Sequence, residues 1–530
     1  MRKSVVVAAF AAALVALAAC TSTQTTAGDS ASPGDVDGSQ APASGGSAVF
    51  QFVTAPLDLD PATSQDNNVS MPMWNAWFEY LVTLREGELS PGLAASWTVS
   101  DDKLVYTFTL DPRAQFSNGS DLTAQDVVFS LNRDLAPDIS LLHFLTDRIE
   151  SISAPDPDTV QIALNSPWPH LLADMASPTA AIYSEAALKA APSEKAFFNE
   201  APIGTGPFTL ASATANTSYT IARNDNYWDD SRAAKLDSIE WQVVPDDTAR
   251  VTAVVGGRAD IAQSPPANQL EGLKSNADVQ VLAFPSARVE MWVLNTKKPP
   301  FDNLKVRQAF SLAIDRSAII STGLFGYADV AQSFLVGPPE LTFQNPALAL
   351  YPTDMERAKQ LIAESGVPTP INVTLLASTG AAQDAELTIT TANLTEAGFS
   401  VSGSKKDAAS VDNDIIGQTF QANTTFWGNQ SADPSIQPLF TVDPAFCCDA
   451  YFTGYDDPAL VAVAKEAINT ADPSQAQPLW DKLQTDVAEA AFIVPLYYPQ
   501  LTYLAGASID GFKANSFGFY DWAAIGKKSS

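Results

Sequence analysis

From residue 48 onward the chain alternates two hydrophobic periods. At 104–110 every second residue is apolar, which puts Leu104, Tyr106, Phe108 and Leu110 on one face of a predicted strand. Thr123 and Asp126 then stand three apart ahead of Val127, Val128 and Leu131, the spacing of a capping box that opens a helix. Thr353 and Glu356 repeat that spacing beside Met355, Ala358, Leu361 and Ile362, which share a helical face, and Gly366 supplies the stop. Between these two signals, Val306, Phe310 and Ala313 recur at helical spacing and predict a helix over 303–320, after the breaker pair Pro299-Pro300. Further strands are predicted at 49–53, 219–222, 239–244, 289–294, 371–376 and 493–498. Interleaved strands and helices define an α/β protein. Its body of about 480 residues exceeds what one hydrophobic core supports, so two or three lobes are expected.

The first 47 residues break the pattern. Arg2 and Lys3 precede an apolar run at 4–17, too short for a comfortable membrane span, and Leu17-Ala18-Ala19 offers a small-residue cleavage site. This is an export signal rather than part of the fold. Its end resembles a bacterial lipoprotein box, which implies that residues 1–19 are removed and that Cys20 becomes a lipid-bearing N-terminus. A simple secretory signal cut before an incidental cysteine is the alternative. Residues 21–47 consist of Ser, Thr, Ala, Gly, Pro, Gln and Asp, with Val36 as the one large apolar side chain, so they cannot build a core. As a flexible tether, 20–47 would span roughly 28 Å. No later apolar run approaches the length of a membrane span.

Charge narrows the partners. With 60 acidic against 30 basic residues the net charge is −30, which disfavours nucleic acid. No polybasic patch is present, leaving lipidation as the route to a membrane. Besides Cys20, the cysteines are the adjacent Cys447 and Cys448. Neighbouring Cα atoms sit about 3.8 Å apart, short of the roughly 4.4–6.8 Å of most disulfides, so the two form either a strained vicinal disulfide or a pair of thiols. The two histidines, His143 and His170, have no metal-ligand spacing with them, and no metal or cofactor is expected. Motifs of serine hydrolases, zinc proteases, P-loop enzymes and thiol oxidoreductases are lacking, and Gly204-Thr205-Gly206-Pro207 reads as a tight turn. A hydrolase working through a carboxylate pair stays open as the alternative, because sixty acids make some close pair inevitable.

Five stretches in order carry a resemblance: 89–133, 202–208 (PIGTGPF), 226–228 (NYW), 306–316 (VRQAFSLAIDR) and 492–498 (FIVPLYY). Together they resemble the extracellular solute-binding proteins, family 5, of peptide-type ABC importers, the dipeptide- and oligopeptide-binding group, over about residues 48–526. The resemblance implies a two-lobed periplasmic-binding-protein-like α/β clamp. Lobe I would comprise 48–286 plus 498–530, with an extra subdomain at 71–200, and lobe II 287–497. Two crossover segments would lie near Pro285 and Tyr498. It further implies a monomeric receptor, not an enzyme, lipid-anchored on the outer face of the cytoplasmic membrane. Such a receptor encloses a peptide or peptide-like solute and passes it to membrane permease subunits, with ATP hydrolysed on a separate subunit. A sensory or adhesive use of the same clamp is not separated by sequence.

Within this resemblance, 424–434 (TTFWGNQSADP) is the stretch that bears on specificity. Trp427, with Phe426, Gly428, Asn429, Gln430 and Asp433, is expected to line the cleft from lobe II. Ser64, Gln65, Asp66 and Trp74 are expected from lobe I. The bland readings are a core role for Trp427 and a helix cap for Asp433, which Pro434 follows. In peptide binders of the family an aspartate at the place of Gln430 pairs with the ligand's ammonium, and an arginine stands in some members at the place of Thr424. A buried ammonium without a carboxylate costs several kcal/mol. Either the solute therefore lacks a free amine, as a modified peptide, glycoside or other amphiphile would, or its partner has moved to Asp433 or Asp66.

Overall fold

A computed structural model describes residues 45–64, 69–85, 87–136, 145, 148–336, 343–429, 433–446 and 448–528. Among them one strand, Ile493–Gly506, runs through the middle of the molecule and belongs to two half-sheets. On one side it pairs with Ile261–Gln263 and Val279–Pro285, and the sheet continues through Ser47–Phe52, Ser238–Val243, Ser218–Arg223 and Phe208–Thr214. On the other it pairs with Arg288–Leu294 and Ala328–Val330, followed by Ala422–Gly428, Ile371–Ser378 and Phe399–Lys406. The half-sheets are the cores of two lobes. The parallel pairings are those of Ser47–Phe52 with Ser238–Val243 and Ile261–Gln263, and of Ile371–Ser378 with both its neighbours. Ile371–Ser378 is buried and apolar on both faces at Leu375, Leu376 and Ala377, as helices packed on either side require.

A separate four-stranded antiparallel sheet (Ala94–Val99, Val105–Leu110, Thr159–Leu164, Ile149–Asp156) forms an extra subdomain on the first lobe. Tyr106, Phe108 and Leu110 point together into its core, as their alternation predicts. The helix Ala124–Asp134 covers that sheet. Thr123 and Asp126 form both halves of the expected box, and losing such a cap costs about 1 kcal/mol.

Two expectations needed correction. The helix over 303–320 breaks: Leu304–Ala313 ends at an extended Ile314, and Asp315 caps the short helix Arg316–Ile319 through Ala318 N at 2.9 Å. The break lets the Arg316 guanidinium turn inward to Pro495 O at 2.7 Å, on the central strand. The box at Thr353 does not form either. Asp354 caps the helix Met355–Glu364 through Arg357 N, while Thr353 Oγ1 donates to Ile314 O at 2.8 Å. Elsewhere the two glycines of 204–206 have a steric cause. A Cβ on Gly204 would lie 1.9 Å from Trp77 O and one on Gly206 2.6 Å from Ala76 O, so only glycine lets 204–206 lie against the segment after the helix Ser70–Trp74.

Candidate functional site

The two lobes are joined where the chain passes from Val279–Pro285 to Arg288–Leu294 beside the continuous central strand. Pro285 pairs with Gln500 and Glu290 with Tyr497, and Ser286 Oγ donates to Pro499 O, so both connections run side by side. Ala287 lies between. Its N–H donates to Ser516 O at 2.6 Å, and its carbonyl accepts from Asn429 N at 2.9 Å.

Asn429 closes the strand Ala422–Gly428, which pairs antiparallel with Arg288–Leu294. Its Oδ1 accepts from Trp427 Nε1 at 2.6 Å and its Nδ2 donates to Val336 O at 2.5 Å. An indole and the loop at Val336 are thus tied to the side chain of Asn429, and a crossover segment to its backbone N–H. Trp427 is 9 % exposed and packs on Phe440 and Tyr451, with ring centroids 5.1 and 5.7 Å away. Phe426 points to the opposite face, where the Arg288 guanidinium lies 3.6 Å over its ring and pairs with buried Glu290 at 2.5 Å. Behind that pair, Tyr497 donates to Glu386, whose carboxyl is pushed up to about 8 by burial and then by the charge of Glu290. A neutral acid is the consequence at pH 7.

Asp433 is buried, its Oδ1 accepting from Ser435 N at 2.8 Å and its Oδ2 from Ser435 Oγ at 2.7 Å. It thereby orients the turn into the helix Ile436–Val442, close to the capping alternative. Ser64 is buried with no partner for its hydroxyl among the described residues. Trp74 is wholly covered in the core of the first lobe, and Gly428 is half-buried. Gln65, Asp66, Gln430, Cys20 and Cys447 lie outside the described residues. Cys448 is disulfide-bonded, so it is not a thiol; its partner lies outside the described residues.

Sequence reasoning missed what the subdomain brings to this boundary. Asp174 ends the short helix Leu171–Asp174 and lies against Asp433 of the second lobe. Its carboxyl is held well above the usual range by burial, then by the Asp433 charge. His170 Nε2 meets Ile468 O at 3.0 Å, also across the boundary. A single apolar cluster includes Trp168, Leu171 and Met175 on one side and Trp427, Leu439 and Ile468 on the other. Beside it, Arg148 faces Asp443, Phe446 and Lys465 across a cavity of about 340 Å³. No local signal marks Asp174, because its partner comes from the other lobe. Among the described residues no group of three or more His, Cys, Asp or Glu could hold a metal ion, and no helix is long and apolar enough to cross a membrane.

Two lobes on a shared strand, with polar and aromatic side chains converging where they meet, define a binding clamp of the periplasmic type. Residues 88–444 match the model of the bacterial extracellular solute-binding proteins, family 5, and the chain belongs to that family. It is the solute-binding receptor of an ABC importer. It is 28 % identical over 467 residues to the glutathione-binding protein GsiB of Escherichia coli (strain K12), covering 86 % of this chain and 89 % of that one. It is 31 % identical over 383 residues to heme-binding protein A of Haemophilus influenzae, covering 68 % of each. The ABC transporter-associated periplasmic binding protein DppA of Helicobacter pylori, solved with the peptide STSA, superposes with a TM-score of 0.77 at 23 % identity, covering 92 % of this chain and 99 % of that one. These relatives are binding proteins rather than enzymes.

Proposed function

We propose that this chain captures a peptide or peptide-like small solute between its lobes and releases it unchanged to membrane permease subunits. The observation that carries the reading is the anchoring of Asn429 to Trp427, Ala287 and Val336, which preorganises an aromatic and an amide beside the crossover. Names of relatives that bind glutathione, heme or a tetrapeptide support an amphipathic, peptide-sized guest. Trp427, Gly428, Asn429, Gln430 and Asp433 would meet it from lobe II (287–497). Ser64, Gln65 and Asp66 would meet it from lobe I (48–286 plus 498–530), while Phe426 and covered Trp74 back the walls. Closure is favoured by contacts that exist only when both lobes touch the guest.

Upstream, removal of the export signal at 1–19 would leave lipid on Cys20 and the tether at 20–47 to hold a monomer on the outer face of the cytoplasmic membrane. Native mass spectrometry of the isolated protein should show a co-purified small molecule. Incubation with candidate peptides and glycosides should return them intact, and turnover of any of them would replace the receptor reading with the hydrolase. Gln430→Asp should raise the affinity for free-amine peptides, read by calorimetry. No gain would mean that the guest's amine is held elsewhere or that it has none.

A further inference from the structure

Arg288 is held by its inner edge and left open on its outer one. Its Nε donates to Glu290 Oε1 at 2.6 Å, its Nη2 meets the same oxygen at 2.5 Å, and its planar head lies 3.6 Å over the Phe426 ring. Both polar contacts use one side of the guanidinium. Nη1 has no acceptor among the described residues. The pair is also turned: the Glu290 side chain is 4 % exposed and that of Arg288 18 %, so the acid faces inward and the base outward.

Neighbouring residues keep that outer edge clear. Arg288 opens the strand Arg288–Leu294 directly after the crossover, and its partner in register across the sheet is Gly428. Phe426, two residues back on the same face, supplies the ring under the guanidinium, and a side chain at 428 would stand beside its head. Glycine puts nothing there. The backbone at 428 belongs to an extended strand, a conformation any residue adopts, so what distinguishes the position is the missing side chain. On the other flank, Ala287 is tied to Ser516 O and to Asn429 N, which fixes Arg288 where the two lobes join.

We propose that Arg288 receives a carboxylate of the captured solute, so that the guest is an organic acid. The unspent edge, Nη1 beside Nη2, presents parallel N–H donors at the spacing of carboxylate oxygens, and hydrogen bonds between ions are about twice as strong as neutral ones. Phe426 and Glu290 hold the head in place before the guest arrives, so little side-chain freedom is lost on binding. Glu290 also sets a negative charge directly behind the head, which favours a singly charged group over a phosphate dianion. The inference rests on the solute-capture reading and adds to it the charge of the guest.

Acetate is the probe, so the test needs no knowledge of the guest. In the full chain carrying isotope-labelled arginine, the Arg288 side-chain signal is the one that disappears in Arg288→Lys, where a cation still faces Glu290. With acetate added at constant ionic strength, that signal should shift and saturate, while acetamide leaves it unmoved and phosphate acts more weakly. Gly428→Val keeps the ion pair and covers the head. It should raise the acetate midpoint about tenfold, the equivalent of one charge-assisted hydrogen bond. A signal that acetate does not move, that acetamide moves equally or that phosphate moves at lower concentration would overturn the proposal, as would an unchanged midpoint in Gly428→Val. Guest recovered from the purified protein should gain the mass of a methyl ester in acidic methanol; one that gains none would overturn the proposal and leave capture standing. Turnover of candidate solutes would strike the capture reading and leave the acetate result as it is.

Discussion

Two buried acids in this molecule are held by partners of different origin. Glu386 lies inside the second lobe, where Glu290, Arg288 and Tyr497 come from strands hydrogen-bonded to one another in the same sheet. Asp174 lies where the subdomain meets the second lobe, wholly buried, with Trp168 Nε1 of its own segment donating to Oδ2 at 2.8 Å. The first network is complete whenever the lobe is folded, so its protonation is written into the stability of that lobe. The burial of the second depends also on how the subdomain packs against Trp427, Leu439 and Ile468 of the other lobe.

Breaking the first network should have the largest effect. Arg288→Ala strips Glu290 of its cation in a site where it is 3 % exposed, and should cost about 3–5 kcal/mol in denaturant unfolding. A loss under about 1 kcal/mol would mean that Glu290 is already neutral. Glu386→Gln sharpens the contrast. Because its folded-state value, about 8, is raised above that of the unfolded chain, Glu386 contributes stability fully present near pH 4, and that contribution is lost as pH rises through 8. The thermal midpoint of the parent should fall more steeply between pH 5 and pH 8 than that of Glu386→Gln; equal slopes would remove Glu386 from the pH dependence. The smallest effect belongs to Asp174. Trp168→Phe removes the donor to its Oδ2, worth about 1 kcal/mol in denaturant unfolding. An unchanged unfolding midpoint would mean that the indole contributes nothing through that bond.

Much of the scaffold was legible because its causes are local. The alternation at Tyr106, Phe108 and Leu110, and the box at Thr123, depend on residues within one turn or one strand. The motifs that carry the family resemblance turn out to be scaffold as well. Tyr227, Trp228 and Arg232 converge on Glu79, while Arg307 and Arg316 spend their donors on backbone carbonyls such as Ala490 O and Pro495 O. They announce the fold and do not name the guest. What stayed hidden depends on distant partners. The break at Ile314 is fixed by Thr353 and by the strand at Pro495, and Asp174 owes its raised carboxyl to burial first and then to the Asp433 charge. The expected cleft residues are half legible in the same sense: Asn429 carries visible anchoring, whereas Ser64 carries an unanswered hydroxyl and Trp74 only packing.

The strand Ile493–Gly506 sits in the interior of both half-sheets yet is translated after every strand it pairs with. Until it leaves the ribosome, each lobe is an open sheet lacking its central rib, with Ile261–Gln263 on one flank and Arg288–Leu294 on the other waiting for the same partner. Neither half can reach its final form ahead of the other, and a nascent chain cut short before residue 493 would leave two unfinished edges rather than one finished domain.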